Sequence, residues 1–145
     1  MKKSDTISSL DELSNLARSL VANLTPHSLQ ATVITLSGEL GTGKTTLTQM
    51  IARELGVTEV VNSPTYVITK YYDLKKQLWK RLIHIDAYRL DGQNLEPLGF
   101  EELCSDPNNI IIIEWPQFIN SVLPVKKTSI TINKTQDENR TLTIS

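Results

Sequence analysis

Apolar and polar positions repeat along this chain with two different periods, and the changes of period mark its elements. From Ser9, the residues Leu10, Leu13, Leu16, Ala17, Leu20, Val21 and Leu24 recur at helical spacing, a stripe that predicts a helix ending near Pro26. Ser9 with Glu12 has the form of a capping box at its start. Residues 31–36 are a β-branched apolar run that reads as a buried strand. Residues 46–55 return to helical spacing through Leu47, Met50, Ile51, Ala52 and Leu55, with Gly56 as the stop. Residues 67–72 and 78–85 read as strands around the polar turn 73–77, an expected antiparallel hairpin.

Further along, residues 95–103 suggest a helix begun near Pro97 and stopped at Asp106 and Pro107. The run Ile110, Ile111, Ile112, Ile113 indicates a strand buried on both faces, as in a parallel sheet. Residues 128–132 and 140–144 alternate with period two and predict a hairpin at a sheet edge. The first helix precedes the first expected strand. Packing on the sheet is its simplest use, and bordering a bound base or ribose is the other.

Composition narrows the classes. A chain of 145 residues suits one domain covering 1–145. With 15 basic and 16 acidic side chains and net charge −1, it carries no general positive field for nucleic acid. Its single cysteine, Cys104, excludes an internal disulfide framework and reads as an inert helix residue in a reducing compartment. Neither a signal-type apolar segment nor a membrane-length run is present, so a cytoplasmic protein is expected.

The candidate chemistry centres on residues 38–45, whose order G-E-L-G-T-G-K-T matches the phosphate-loop pattern at Gly38, Gly43, Lys44 and Thr45. Glycines let successive backbone N–H groups turn toward phosphate oxygens as an anion nest. Lys44 is placed to reach the β- and γ-phosphates, Thr45 to ligate Mg²⁺, and the helix N-terminus adds its positive dipole end. Strand, loop and helix occur in the order such a site needs.

Two acids close apolar strands, Asp86 after residues 82–85 and Glu114 after residues 109–113. Ligands of open α/β sheets bind beyond the carboxyl ends of the strands, so either acid can hold Mg²⁺ or orient an attacking water. The ordinary alternative is a cap for a following helix. Period two places His84 and Asp86 on one side of their strand, and His84 reads as orienting or structural. Thr65, after Pro64, is either a switch threonine sensing γ-phosphate or part of a plain loop. Arg89 serves phosphate or a surface acid, and Trp115 is core or a lid beside the site. Residues 133–136 resemble a guanine-reading motif superficially, but Gln136 stands where the acid is required.

Together these segments resemble the TsaE family, once called YjeE, of bacterial P-loop ATPases. The likeness rests on residues 38–46, on Ser63-Pro64-Thr65-Tyr66, on His84-Ile85-Asp86-Ala87-Tyr88-Arg89, and on Ile113-Glu114-Trp115, and it spans nearly the whole chain. Thr42 and Tyr66 are mild departures, at positions where relatives often carry Ala or Ser and Phe. The resemblance implies a three-layer α/β P-loop NTPase fold with a mostly parallel central sheet extended by antiparallel hairpins. It implies a Mg²⁺-dependent ATPase of low intrinsic activity, required for threonylcarbamoyladenosine modification of tRNA. The implied partner is the TsaB–TsaD complex, which ATP hydrolysis would reset between cycles, with tRNA met only indirectly and no role for DNA or membrane.

By matching position, Gly38, Glu39, Leu40, Gly41, Thr42, Gly43, Lys44, Thr45, Thr46 and Trp115 would bind the nucleotide. Thr45, Asp86 and Glu114 would be the metal positions, and Asp86, Glu114 and Thr65 the catalytic ones, with the metal and water roles of the two acids open to either assignment. A small-molecule or nucleoside kinase is the competing reading. Against it, no arginine follows Glu114 until Arg140, so an arginine-bearing lid is missing there.

Overall fold

The computed structural model describes residues 3–59, 61, 69–88 and 99–145. Its strands are β1 (Lys3–Ile7), β2 (Thr32–Ser37), β3 (Thr69–Asp73), β4 (Arg81–Asp86), β5 (Asn109–Glu114), β6 (Thr128–Lys134) and β7 (Arg140–Ile144). They form one seven-stranded sheet in the order β1-β7-β6-β2-β5-β4-β3. The central pairings β6–β2, β2–β5 and β5–β4 are parallel, and the outer ones β1–β7, β7–β6 and β4–β3 are antiparallel. The sheet is therefore mixed. Parallel strands occupy its centre, but they do not outnumber the antiparallel pairings.

Among the described residues, three α-helices cover it: α1 (Leu10–Asn23), α2 (Lys44–Glu54) and the short α3 (Phe100–Cys104). Alternate residues of the central strands feed two separate cores. Ile34, Leu36, Ile110, Ile112 and Leu82 pack with Leu47 and Ile51 of α2 and Leu13 and Ala17 of α1. Val33, Ile83, Ile85, Ile111 and Ile113 pack on the other face with Phe100 and Ile119. Every residue of β5 is buried, as its isoleucine run requires. Among the described residues, no helix is long and apolar enough to cross a membrane.

Two expectations need correction. The C-terminal hairpin is not at the sheet edge, because β1 pairs along β7 from Lys3 opposite Ile144 to Ile7 opposite Arg140. The helix α1 consequently follows a strand instead of opening the fold. Residues 3–7 carry no apolar alternation, since only Ile7 of β1 is buried. The expected start of a helix at Pro97 lies outside the described residues, and the helix seen, α3, begins at Phe100 with Gly99 as its cap.

The start of α1 follows the capping logic with one displacement. Ser9 Oγ accepts from the N–H of Glu12 at 3.2 Å, while the Glu12 carboxylate reaches one residue further back, to the N–H of Ser8 at 2.8 Å and its hydroxyl at 3.0 Å. Ser9→Ala is expected to cost about 1 kcal/mol of stability. A thermal melt checks it, and an unchanged midpoint would mean that the cap contributes nothing.

Candidate functional site

The site is assembled where β2 ends, α2 begins, and β4 and β5 present their last residues. Gly38 leaves β2 so close to β6 that a Cβ on it would be driven into the Ile132 carbonyl oxygen. Gly41 and Gly43 have φ of 78° and 107°, backbone states that side chains disfavour. Gly43 caps α2, so Lys44 and Thr45 lie in its first turn, two residues earlier than the apolar stripe predicted. Their adjacent backbone N–H groups belong to the unsatisfied helix N-terminus.

Lys44 is buried to 5% exposure. Its Nζ donates to the carbonyls of Gly38 at 2.6 Å and Glu39 at 2.9 Å and lies 4.2 Å from the centre of the Trp115 ring. Burial lowers its pKa from the ordinary value, opposed by the fields of Glu114, Asp86 and Glu39 in that order. The ammonium is thus held partly desolvated, with two strand-end acids within electrostatic reach.

Asp86 and Glu114 sit side by side in the β4–β5 register. Both continue the alternate positions of their strands that face α2, as do His84 and Ile112. Glu114 is 2% exposed and receives two side chains. Thr45 Oγ1 donates to Oε1 at 3.2 Å, and His84 Nε2 donates to Oε2 at 2.5 Å. His84 is fully buried, and its Nδ1 has no partner among the described residues. It is an orienting histidine, fixing the carboxylate against the first turn of α2. Asp86 Oδ1 accepts from the N–H of Tyr88 at 3.1 Å.

Trp115 is half-buried, packed against the second core and facing Lys44. Its φ of 60° is left-handed, a state costing a bulky residue roughly 1–2 kcal/mol. Its N–H donates to Leu36 at 3.2 Å, and its ring packs with Tyr88 at 4.9 Å and Phe118 at 6.3 Å between centroids. The turn aims the indole over Lys44.

The remaining predicted residues divide clearly. Thr42 is buried and its hydroxyl donates to the Glu39 carbonyl at 2.9 Å, whereas the Leu40 side chain is 74% exposed, leaving only its backbone to the loop. Thr46 is half-buried in the first turn of α2. Thr65 and Arg89 lie outside the described residues, as do Ser63 and Tyr66. Cys104 ends α3, and burial pushes its thiol up to about 11, in keeping with an inert residue. One contributor was not anticipated. The Arg140 Nε donates to the Thr42 carbonyl at 2.9 Å, and Nη2 lies 3.5 Å from the Gly41 carbonyl. Nothing local signals this contact, because 98 positions separate Arg140 from Thr42.

Fold and site define a class: a mixed α/β protein whose glycine loop and helix terminus face two strand-end acids. The family model for threonylcarbamoyl adenosine biosynthesis protein TsaE matches residues 7–142, and the chain belongs to that family. The chain is 37% identical over 113 residues to the tRNA threonylcarbamoyladenosine biosynthesis protein TsaE of Bacillus subtilis, covering 78% of this chain and 68% of the relative. It is 36% identical over 119 residues to the protein of the same name from Streptomyces coelicolor, covering 78% of each. Among solved structures, the crystal structure of Bacillus subtilis YdiB is similar with a TM-score of 0.80 and 28% identity, over 99% of this chain and 84% of that one.

Proposed function

We propose that this protein is an ATP-binding, ATP-hydrolysing subunit of tRNA threonylcarbamoyladenosine biosynthesis, acting on the TsaB–TsaD complex to permit repeated turnover. Membership of the TsaE family supports the pathway. The observation that carries the hydrolytic reading is the Thr45–Glu114–His84 chain set beside the buried Lys44.

The donors suit Mg²⁺ with ATP. Among the described residues, no three His, Cys, Asp or Glu side chains form a ready-made metal cluster. A magnesium site of the phosphate-bound kind needs no such cluster, because it takes one or two protein oxygens and completes its shell from phosphate and water. Thr45 with Glu114 or Asp86 supplies those oxygens. When bound, Mg·ATP supplies the phosphoryl group that passes to water, with the metal neutralising charge on it.

The chain's own groups do the rest. Lys44, whose ammonium now rests on loop carbonyls, is the cation available to phosphate oxygens. His84 holds Glu114 by one oxygen, so the carboxylate keeps a fixed direction. The acid that does not hold the metal orients the attacking water. Trp115 lies over Lys44 and keeps bulk water from that side of the ammonium.

Slow turnover by the isolated protein is supported by the state of Arg140, an arginine beside the phosphate loop. Its guanidinium is committed to loop carbonyls. In that state it does not stabilise charge on a transferring phosphoryl group, so a partner has something to supply. ATP hydrolysis should therefore rise severalfold or more when TsaB and TsaD are added to the purified protein. Intact ATP binding with no stimulation by verified partners would favour the kinase reading, and candidate acceptors would then be screened for phosphate transfer.

A further inference from the structure

The C-terminal hairpin touches the phosphate loop at both ends. At the entrance, the Ile132 carbonyl of β6 occupies the space that a side chain at Gly38 would need. At the far side, Arg140, the first residue of β7, spreads its guanidinium over backbone oxygens. Nε donates to Thr42 at 2.9 Å, Nη2 approaches Gly41 at 3.5 Å, and Nη1 donates to Glu138 at 2.9 Å. The Glu138 carboxylate is itself taken by Lys134 at 2.8 Å. The Arg140 fork thus addresses main-chain carbonyls from three residues, two of them in the loop.

We propose that Arg140 is the positioning residue of the phosphate loop, fixing the orientation of its peptide groups for nucleotide without touching the nucleotide itself. In a trans peptide the C=O and the following N–H point in opposite directions. Holding the Thr42 carbonyl toward β7 turns the Gly43 N–H away from β7. Glycines at 41 and 43 make this control necessary, because both peptide planes flanking Thr42 can otherwise rotate. Oriented N–H groups are what a loop of this kind offers an anion, so the fork sets how much of the nest is ready before ligand arrives. Lysine cannot substitute, since a single ammonium lacks the planar spread of donors.

The inference rests on the nucleotide reading given above, and the two are separable in one experiment. Mg·ADP affinity is measured by titration calorimetry for the wild-type chain and for Arg140→Lys, Arg140→Gln and Arg140→Ala, with circular dichroism and thermal melts verifying the fold. A wild-type chain that fails to bind overturns the nucleotide reading and this inference with it. With wild-type binding intact, all three variants are expected to bind about tenfold more weakly, a change of about 1.4 kcal/mol. Methylguanidinium added to folded Arg140→Ala is expected to recover part of the loss, which a general weakening of the hairpin would not allow. Wild-type affinity in Arg140→Lys would overturn the role of the fork, as would an absence of rescue in a folded Arg140→Ala. Arg18→Gln, which removes an exposed guanidinium paired with Glu54 at 3.6 Å, should leave affinity unchanged.

Discussion

Replacing Lys44 by alanine is expected to lower ATP hydrolysis by about a hundredfold or more while leaving the fold intact. The reason is the state in which the ammonium is kept. It is 5% exposed, held on two loop carbonyls and covered by Trp115, so it meets an arriving phosphate already partly desolvated. Charge held in a desolvated place is worth more to a developing anion than the same charge in solvent. Steady-state phosphate release checks the prediction, and unchanged binding and turnover would remove Lys44 from the site. The same burial leaves a pH signature. Because the folded pKa lies below the ordinary 10.5, the unfolded chain binds more protons just below that pH, and stability rises there as pH rises. Lys44→Ala lacks this increment, so thermal midpoints across that window should move in favour of wild type as pH increases.

Removing the Glu114 carboxylate should depress hydrolysis by about a hundredfold, with a much smaller effect on ATP binding. Glu114→Ala also takes the acceptor from Thr45 and from the fully buried His84, a loss worth about 1–3 kcal/mol of stability. The variant should therefore melt earlier as well as turn over slowly. Asp86→Ala belongs beside it, with hydrolysis again reduced more than binding. Normal turnover in both would mean that neither acid has the proposed role. If only one variant is impaired, that acid alone carries the chemistry.

The periodic segments were legible because their burial is one-sided or complete. The isoleucine run of β5 had to be covered on both faces, and it is. Glycine and lysine spacing located the turn between β2 and α2, since few other sequences tolerate positive φ at 41 and 43. The place of Asp86 and Glu114 at strand ends was legible from two apolar runs that each close on an acid, but not that the two strands are neighbours. What escaped were contacts with no local trace. Lys3–Ile7 buries one side chain and is a strand only because β7 offers it a partner. The bond from His84 to Glu114 spans 30 positions, and its partner was hidden until the two strands were placed in register. Arg140 reads in sequence as the opening residue of the hairpin's second strand, and it is equally a part of the loop's support. Thr65 keeps its reading from sequence, since it lies outside the described residues.

The pairing of β1 with β7 has a consequence for the order in which the protein can be completed. Residues 3–7 leave the ribosome long before their partner strand, residues 140–144. They must wait unpaired until that strand is made, and their polar, charged character suits that wait, because an apolar strand left open would recruit other chains. The phosphate loop shares the delay. Residues 38–45 are made before the β6–β7 hairpin, from which the carbonyl of Ile132 and the guanidinium of Arg140 come. A nascent chain thus carries the loop long before it carries the loop's support, and the site reaches its finished shape only when β7 docks.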